Sequence, residues 1–422
     1  MNERMKIWIL NHYNSTPAYG SLTRHYNLGK CLMELGHEVA VFSANRVHNS
    51  GAVFDTNGKR FEEYDDEIVP FVYVRTTPYD KNGVKRYINL ISYYWNVKYA
   101  ARHYEKEHGK PDIIYASSLQ PLALNAGLEL ARKYGVKCIC EVRDLFPEFL
   151  VKDNKITYQS IPGRILFGWE KRVYTKADEL IFTMEGGAKY IQDKKWDKAQ
   201  GGPVDLQNVH HINNGIDIAM FDQQRDTFCY PDPDLDQTGL RCVSFTGSVR
   251  KDYGLGILIE AAECLKECQN IKLLIWGTGN CTEELNREIE KRQLKNIILK
   301  GYVDKKYIPS VVSRSYLNLA TLKDSYLYKY GVSQNKLFDY LAAGRPVLFS
   351  IKPGFSFIEA NGAGMELEAA TAVDIAKAIR YFAELPEADY DEYCACARKT
   401  AEKYDFHILT DRLLHEVIKV ER

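Results

Sequence analysis

An alternation of short apolar runs with amphipathic segments of helical length constrains the fold of this chain more than any other feature. Residues 6–10, KIWIL, have the length of a buried strand, and a helix is predicted at about 22–35 before the next apolar run at 37–43. Two strands joined through a helix in this way lie parallel in one sheet. Further strands of this first set are predicted at 71–75, 112–116, 137–142 and 179–183.

The alternation begins again in the second half of the chain. Residues 213–217, NNGID, have the composition of a turn and separate the two sets. At 422 residues the chain is also long for a single hydrophobic core. Strands of the second set are predicted at 241–246, 271–276, 297–300, 317–321 and 346–350.

These two sets predict an α/β protein of two Rossmann-like, doubly wound domains that face each other across a cleft. The first domain covers residues 1–212 and is joined by the C-terminal helix at about 405–422. The second domain covers residues 213–404.

Composition and charge narrow the classes of function. The chain has 56 basic and 56 acidic side chains, so no global positive field indicates a nucleic-acid partner. Its ten cysteines show neither a Cys-x-x-Cys pair nor zinc-ligand spacing, and we expect reduced thiols. The first apolar run is too short for a signal peptide, and no run reaches transmembrane length. We expect a cytoplasmic protein.

One short helix carries the clearest candidate site. Ser333 is a plausible N-cap, the helix covers 335–343, and Gly344 with Pro346 ends it. Lys336 and Asp339 project from one face of its first turn. An ammonium beside the free amides of a helix N-terminus suits a phosphate, and a carboxylate one turn later suits two sugar hydroxyls. An ordinary surface ion pair is the alternative.

Polar residues at the end of a predicted strand provide a second candidate site. Arg143 and Asp144 follow the strand at 137–142, and ligands of open α/β sheets bind at the carboxyl ends of strands. A structural ion pair that closes the loop is the alternative. Tyr19 and Gly20 precede the first helix, where glycine lets a ligand approach the backbone. A dinucleotide site is not supported, because the loop lacks G-x-G-x-x-G.

The predicted helix at 86–107 has an unusual composition. Aromatic and aliphatic side chains alternate there with basic ones, as in helices that lie on a membrane surface. The alternative is a core helix with a solvated basic edge.

Four segments, in this order, resemble the GT-B-fold glycosyltransferases, and within them the family-4 retaining enzymes that build bacterial surface polysaccharides. The resemblance covers nearly the whole chain. The segments are YGS at 19–21 before LGHEVAVFS, RDLFPE at 143–148, NNGID with FTGSVRKDYG at 245–254, and SQNKLFDYLAAGRPV at 333–347.

The resemblance implies a donor site for a nucleotide diphosphate sugar, with a UDP-sugar favoured, in the second domain. Lys336 would hold phosphate, Arg250 would add a second cation, and Asp339 would accept from the ribose hydroxyls. The implied donor-binding set also contains Gly247, Ser248, Gly277, Gly279, Val303, Ser333 and Asn335, and Gly277, Gly279 and Val303 would lie near the base.

The resemblance also implies an acceptor side in the first domain, and it assigns catalysis to a few charged residues. The acceptor-side residues are Tyr19, Gly20, Ser117, Ser118 and Glu148. The catalytic residues are Arg143, Asp144, Arg250 and Lys336.

The chain departs from the common pattern of that family at three places. Gly331 stands where many members carry the first glutamate of a Glu-x7-Glu pair that ends at Asp339. Arg143 stands where a histidine is common. Ser248 and Tyr253 occupy the customary Arg and Lys positions of the phosphate loop, with Arg250 between them.

The expected function is transfer of a sugar, with retention, to a hydroxyl of a lipid-linked oligosaccharide at the cytoplasmic face of the membrane. We assign no Asp-x-Asp motif to a metal and expect an enzyme that needs neither metal nor other cofactor. Two alternatives stay open. They are a GT-B-fold nucleotide-sugar epimerase, with Asp144 and Glu148 as its acid and base, and a non-catalytic subunit of a polysaccharide assembly complex.

Overall fold

The structure is a computed structural model that describes residues 4–20, 22–47, 51–64, 68–79, 83–118, 121–368 and 370–420. The chain divides into two compact units. Unit 1 contains residues 1–213 and 409–422, and unit 2 contains residues 214–408. In the described part of the chain, no helix is both long enough and apolar enough to cross a bilayer.

Unit 1 is built on an eight-stranded sheet in the order β3-β4-β2-β1-β5-β6-β7-β8. All neighbours are parallel except β3 and β4, which are antiparallel. The strands are β1 Lys6–Asn11, β2 Glu38–Ala44, β3 Phe61–Tyr64, β4 Phe71–Val74, β5 Ile113–Ser118, β6 Lys137–Val142, β7 Glu179–Phe182 and β8 Val209–His211.

Helices cover the sheet of unit 1, which explains why its central strands are apolar on both faces. Trp8 on β1 shows this packing, because its ring contacts those of Tyr104 and Tyr134, each at about a right angle. The helices are α1 Arg24–Glu34, α2 Val84–His108, α3 Pro121–Tyr134, α4 Glu148–Lys152, α5 Ile161–Lys176 and α6 Gly187–Asp193.

Unit 2 has a six-stranded parallel sheet in the order β11-β10-β9-β12-β13-β14. Its strands are β9 Arg241–Thr246, β10 Ile271–Trp276, β11 Ile297–Gly301, β12 Leu317–Ala320, β13 Val347–Phe349 and β14 Gly364–Glu366. The remaining helices are α7 Ile218–Thr227, α8 Pro233–Asp236, α9 Gly256–Cys264, α10 Thr282–Lys291, α11 Ile308–Arg314, α12 Asn335–Ala342, α13 Ala372–Glu384, α14 Glu387–Glu402 and α15 Phe406–Arg412.

Residues from the end of the chain complete unit 1. A π-helical turn at Leu413–Ile418 follows α15, and its buried side chains include Leu413 and Val417. Arg412 Nη2 donates to the carbonyl of His211 at 2.8 Å, and Lys419 pairs with the Glu179 carboxylate at 2.9 Å. The first and last segments of unit 1 are therefore bound together through β7 and β8.

The predicted fold class, two Rossmann-like α/β domains, is confirmed. Every strand named in the sequence analysis occurs, with its ends within about two residues of the prediction. The edge strands β3, β8 and β14 were missed, because none of them is an extended apolar run.

The predicted N-cap of α12 is wrong. Gln334 is the N-cap, without a side-chain capping bond. Ser333 instead receives two hydrogen bonds from Asn214, one at its hydroxyl and one at its carbonyl. The end of α12 follows the prediction, because Gly344 adopts a φ of +60° just beyond it.

Candidate functional site

Two glycines of unit 2 come directly after the carboxyl ends of two neighbouring strands. Gly247 follows β9 and Gly277 follows β10, with φ values of +136° and +138°. The Gly247 amide donates to the Trp276 carbonyl at 2.9 Å, and a Cβ on Gly277 would lie 1.8 Å from the Gly247 carbonyl oxygen. Only glycine fits this packing, so the floor of the candidate site is backbone.

Helix α12 is fixed to the same strand ends. Leu337, Phe338 and Leu341 are fully buried and provide its apolar face. The Tyr340 hydroxyl accepts a hydrogen bond from the amide of Thr246, the last residue of β9, at 2.8 Å. The first turn of α12 is consequently held beside Gly247.

Lys336 is the central residue of this site. Its Nζ lies 3.9 Å from the ring centroid of Phe245 and 4.1 Å from that of Tyr253. A Cβ on Gly247 would come within 2.9 Å of this nitrogen. Within the described part of the chain, the buried Nζ has no hydrogen-bond partner. Burial lowers the pKa of Lys336 to about 7.

Across the described ranges, this arrangement leaves the Lys336 cation without an anion. Two aromatic faces attract the Lys336 ammonium, but they satisfy none of its three donors. Since a buried polar group without a partner costs free energy, the site gains if a ligand supplies the acceptor. An anionic oxygen at the first turn of α12 would do so.

Asp339 follows one turn later on α12 and is half-buried. Burial raises the pKa of Asp339 to about 6, although the nearby charge of Lys305 opposes this rise. Arg250 is exposed on the loop after β9, where its carbonyl accepts from the Tyr253 amide at 3.2 Å. The loop that supplies Tyr253 to Lys336 therefore also supplies a second, solvent-exposed cation.

The other predicted donor-side residues have different surroundings. Ser248 and Asn335 are exposed, on the loop after β9 and at the start of α12. A Cβ on Gly279 would lie 2.2 Å from the Val249 carbonyl oxygen, so the two loops after β9 and β10 touch. The Val303 side chain belongs to a buried cluster with Trp276, which leaves only its backbone for a ligand.

The backbone conformation explains why a glycine stands at position 331. Its φ is +94°, in the region that glycine favours, and its amide donates to the Tyr328 carbonyl at 2.9 Å. A glutamate there would be strained. The backbone itself therefore excludes the carboxylate that the family pattern has at this position.

Asp232 and Asp234, one of the pairs with Asp-x-Asp spacing in unit 2, form ion pairs. Asp232 and Asp234 each accept from Lys300 Nζ at 2.6 Å, and Asp234 also pairs with Lys272 at 2.6 Å. Their oxygens already have cationic partners, so this pattern is structural.

A buried network occupies the carboxyl ends of β5 and β6 in unit 1, and the sequence analysis missed it. The Glu141 carboxylate accepts from Arg24 Nε at 2.8 Å and Nη2 at 2.7 Å, and from His25 Nε2 at 2.9 Å. The hydroxyls of Tyr115 and Ser117 donate to it at 2.6 Å each. Burial alone would raise the pKa of Glu141, but Arg24 and His25 outweigh this and hold it well below its usual range.

The network also fixes the protonation state of His25 and holds the residues that follow β8. Desolvation lowers the pKa of His25, so its ring is neutral, with the proton on Nε2 toward Glu141 and Nδ1 accepting from Asn11. Arg24 donates to the carbonyl of Ile212 at 3.0 Å and also to that of Asn213. A glutamate inside the apolar run KCICEV was the one available sequence signal.

Arg143 and Asp144 lie beside this network, at the end of β6. Arg143 is half-buried, its Nε has no hydrogen-bond partner among the described residues, and desolvation lowers its pKa. Asp144 is exposed. Glu148 is buried and accepts from Lys194 at 2.7 Å and from the Tyr158 hydroxyl. Glu148 therefore belongs to the packing around α4 and α6.

The remaining acceptor-side predictions fall at the end of β5 and on the loop between β1 and α1. Ser117 is buried in the Glu141 network, whereas the side chain of Ser118 lies outside the described residues. Tyr19 is 45% exposed, and its ring packs against that of Phe54 with the two centroids 4.9 Å apart. A Cβ on Gly20 would meet the Ser15 hydroxyl at 2.7 Å, so this loop is also tightly packed.

Comparison with known proteins now gives the class. The family model "Glycosyltransferase Family 4" matches residues 20–220, and "Glycosyl transferases group 1" matches residues 241–384. No curated protein sequence matches the chain. With glycosyltransferase domains in both halves and two parallel α/β sheets, the chain is a glycosyltransferase of the GT-B fold.

Solved structures show the same fold over the full length. Sucrose-phosphate synthase from Thermosynechococcus elongatus is 17% identical, with a TM-score of 0.70 over 98% of this chain and 99% of that one. Anabaena HepE in complex with UDP is 15% identical, with a TM-score of 0.67 over 98% and 100%. WaaG, a glycosyltransferase involved in lipopolysaccharide biosynthesis, is 14% identical, with a TM-score of 0.64 over 98% and 99%.

Proposed function

We propose that this chain is a retaining, family-4 glycosyltransferase that transfers a sugar from a UDP-sugar to a hydroxyl of a lipid-linked oligosaccharide in bacterial surface-polysaccharide synthesis. The observation that carries the proposal is the buried Lys336 ammonium, which lies at the first turn of α12 without an acceptor among the described residues. UDP as the leaving group is supported by the HepE structure, which contains UDP.

In this proposal, the leaving diphosphate is stabilised by charge. Lys336 and the free amides of α12 would contact its oxygens, and Arg250 would add a second cation from the neighbouring loop. Asp339 would accept from the ribose hydroxyls, and the backbone after β10 and β11 would face the base. The bond between the anomeric carbon and the donor phosphate breaks as the acceptor oxygen bonds to that carbon, and the acceptor hydroxyl gives its proton to the leaving phosphate. This mechanism needs neither metal nor a carboxylate pair.

The lipid-linked acceptor is proposed from helix α2. Its exposed side chains include Tyr87, Ile91 and Trp95, with Lys85 and Arg86 nearby, a composition suited to the bilayer interface. Such a contact would bring unit 1 to the cytoplasmic face of the membrane, where a lipid-linked saccharide is accessible. The likeness to WaaG supports a surface-polysaccharide role.

A ligand screen followed by a turnover assay tests the function. We expect UDP and UDP-sugars, at about 100 times Kd, to stabilise the protein by about 2.7 kcal/mol and to raise Tm by a few degrees. Other nucleotide diphosphates are the matched comparison. Release of UDP that depends on an added lipid-linked saccharide would support transfer.

Three outcomes of these assays would contradict the proposal. Binding without turnover on any acceptor would indicate a non-catalytic subunit. Epimerisation of the donor without acceptor would indicate a nucleotide-sugar epimerase, although the burial of Glu148 leaves that reaction with Asp144 alone. Absence of nucleotide binding would refute the donor site itself.

Donor affinity should depend on pH through Lys336. The free protein loses the Lys336 proton at a pH of about 7, whereas a bound diphosphate favours the charged ammonium. Binding above pH 7 therefore takes up a proton, and Kd should rise about tenfold per pH unit between about 7 and 8.5. Calorimetry of UDP-glucose binding in two buffers of different ionisation enthalpy measures this uptake, which Lys336→Met should abolish.

A further inference from the structure

A groove of about 650 Å³ lies in unit 1 between helix α2 and the residues that follow β4. Its lining includes Arg60, Arg75, Thr76, Ser92, Trp95 and Asn96. The lining thus contains two guanidinium groups, hydroxyls, an amide and an indole, and no carboxylate. Such a set of side chains suits a phosphate ester.

Contacts within unit 1 hold both arginines at the groove. Arg75 Nη1 donates to the Gly58 carbonyl at 2.8 Å, and the Arg75 carbonyl accepts from Asn96 at 2.8 Å. The Arg60 guanidinium lies 4.6 Å from the ring centroid of Tyr99. In the described ranges, neither arginine forms an ion pair, so their charges are available to an anion.

An apolar stripe on α2 runs directly into this groove. Its members recur at intervals of three or four residues and therefore lie along one face of the helix. Each is at least 46% exposed. The members are Val84, Tyr87, Ile88, Ile91 and Trp95. Trp95 is 62% exposed and belongs to both the stripe and the groove.

We propose that this groove binds the phosphate of an anionic membrane lipid while the α2 stripe inserts into the adjoining interface. This inference extends the membrane contact of the proposed function and rests on it. A free phosphate would use the two arginines but would leave the stripe in water, whereas a lipid covers both features. Charge complementarity and the continuity of groove and stripe at Trp95 therefore select an amphiphile.

Vesicle flotation tests the lipid site. The wild-type protein should float with phosphatidylglycerol vesicles and only weakly with phosphatidylcholine vesicles. The double variant R60Q/R75Q should bind phosphatidylglycerol at least about tenfold more weakly, because each cation near an anionic surface contributes substantially to binding. Trp95→Ser should weaken binding to both kinds of vesicle. The control is Arg102→Gln, an exposed arginine of α2 that does not line the groove.

Several results would overturn this inference. An equal loss in Arg102→Gln would mean that only the general charge of unit 1 matters. Full displacement of vesicles by millimolar inorganic phosphate, with sulfate at equal ionic strength inactive, would indicate a free-phosphate site instead. Unchanged flotation of R60Q/R75Q would remove the groove from membrane binding.

A parallel measurement distinguishes failure of this inference from failure of the proposed function. The UDP-induced rise in Tm reports on unit 2, so it should be normal in R60Q/R75Q, in Trp95→Ser and in Arg102→Gln. If UDP binds and no vesicle does, only the lipid site is wrong. If vesicles bind and UDP does not, only the donor site is wrong. The same thermal scans without UDP verify that each variant is folded.

Discussion

Replacing Lys336 with alanine is expected to lower kcat/KM for the UDP-sugar by at least about a hundredfold. The variant removes the cation aimed at the leaving diphosphate, and loss of one preorganised electrostatic contact of this kind costs roughly 3 kcal/mol of transition-state stabilisation. Steady-state measurement of UDP release with a lipid-linked acceptor checks the loss.

Two further variants keep the Lys336 prediction specific. Lys336→Met preserves the contacts with Phe245 and Tyr253 but removes a buried charge that has no hydrogen-bond partner in the part of the chain that the structure describes. Its Tm without ligand should equal or exceed that of the wild type, while turnover is lost. Lys295→Ala changes an exposed lysine before β11 and should leave turnover unchanged. Wild-type kcat/KM in Lys336→Met would refute the assignment.

Replacing Glu141 with glutamine should destabilise unit 1 by about 3–5 kcal/mol, because it leaves Arg24 buried without a counter-charge. The carboxylate is ionised at neutral pH, since its pKa lies well below its usual range. Its stabilising effect is therefore present above the unfolded pKa and is lost as the pH falls through the lower folded value. Urea unfolding at pH 7 measures the difference in the free energy of unfolding.

Glu38→Gln is the matched control for the network. Glu38 pairs with Arg4 and Lys6 near the surface of the same unit, with side-chain exposures of 43%, 70% and 24%, so its loss should cost less than about 1 kcal/mol. UDP should still stabilise Glu141→Gln, because Lys336 belongs to unit 2. If the urea midpoint of Glu141→Gln equals that of Glu38→Gln, the network has no special role in stability.

The sequence predicted the fold well because the signals of the fold are local. An apolar run such as KIWIL predicts a strand, and a glycine such as Gly344 predicts the end of a helix. Both predictions need only the residue's immediate neighbours in the sequence. Local signals also placed Lys336 in the first turn of α12 and Gly247 at the end of β9. Whether Lys336 binds phosphate stays a prediction.

The predictions that failed depend on partners distant in the chain. Ser333 has the composition of an N-cap, but its hydroxyl is used by Asn214, 119 residues away. The Glu141 network joins side chains separated by up to 117 residues, and a single sequence carries no pairing signal over that distance. Similarly, nothing near Lys336 in the sequence indicates the rings of Phe245 and Tyr253, although both lie within about 4 Å of its Nζ.

Unit 1 is built from two separate segments of the chain, and this affects the order in which the chain can fold during synthesis. When residue 213 leaves the ribosome, the sheet of unit 1 is present, but Arg412 and Lys419 have not yet been made. Until they arrive, Glu179 lacks its Lys419 partner, and the apolar surface that Leu413 and Val417 cover is open. Unit 2 is synthesised in this interval. We infer that unit 1 of the nascent chain is native-like but incomplete while unit 2 is made, and that residues 409–422 then complete unit 1.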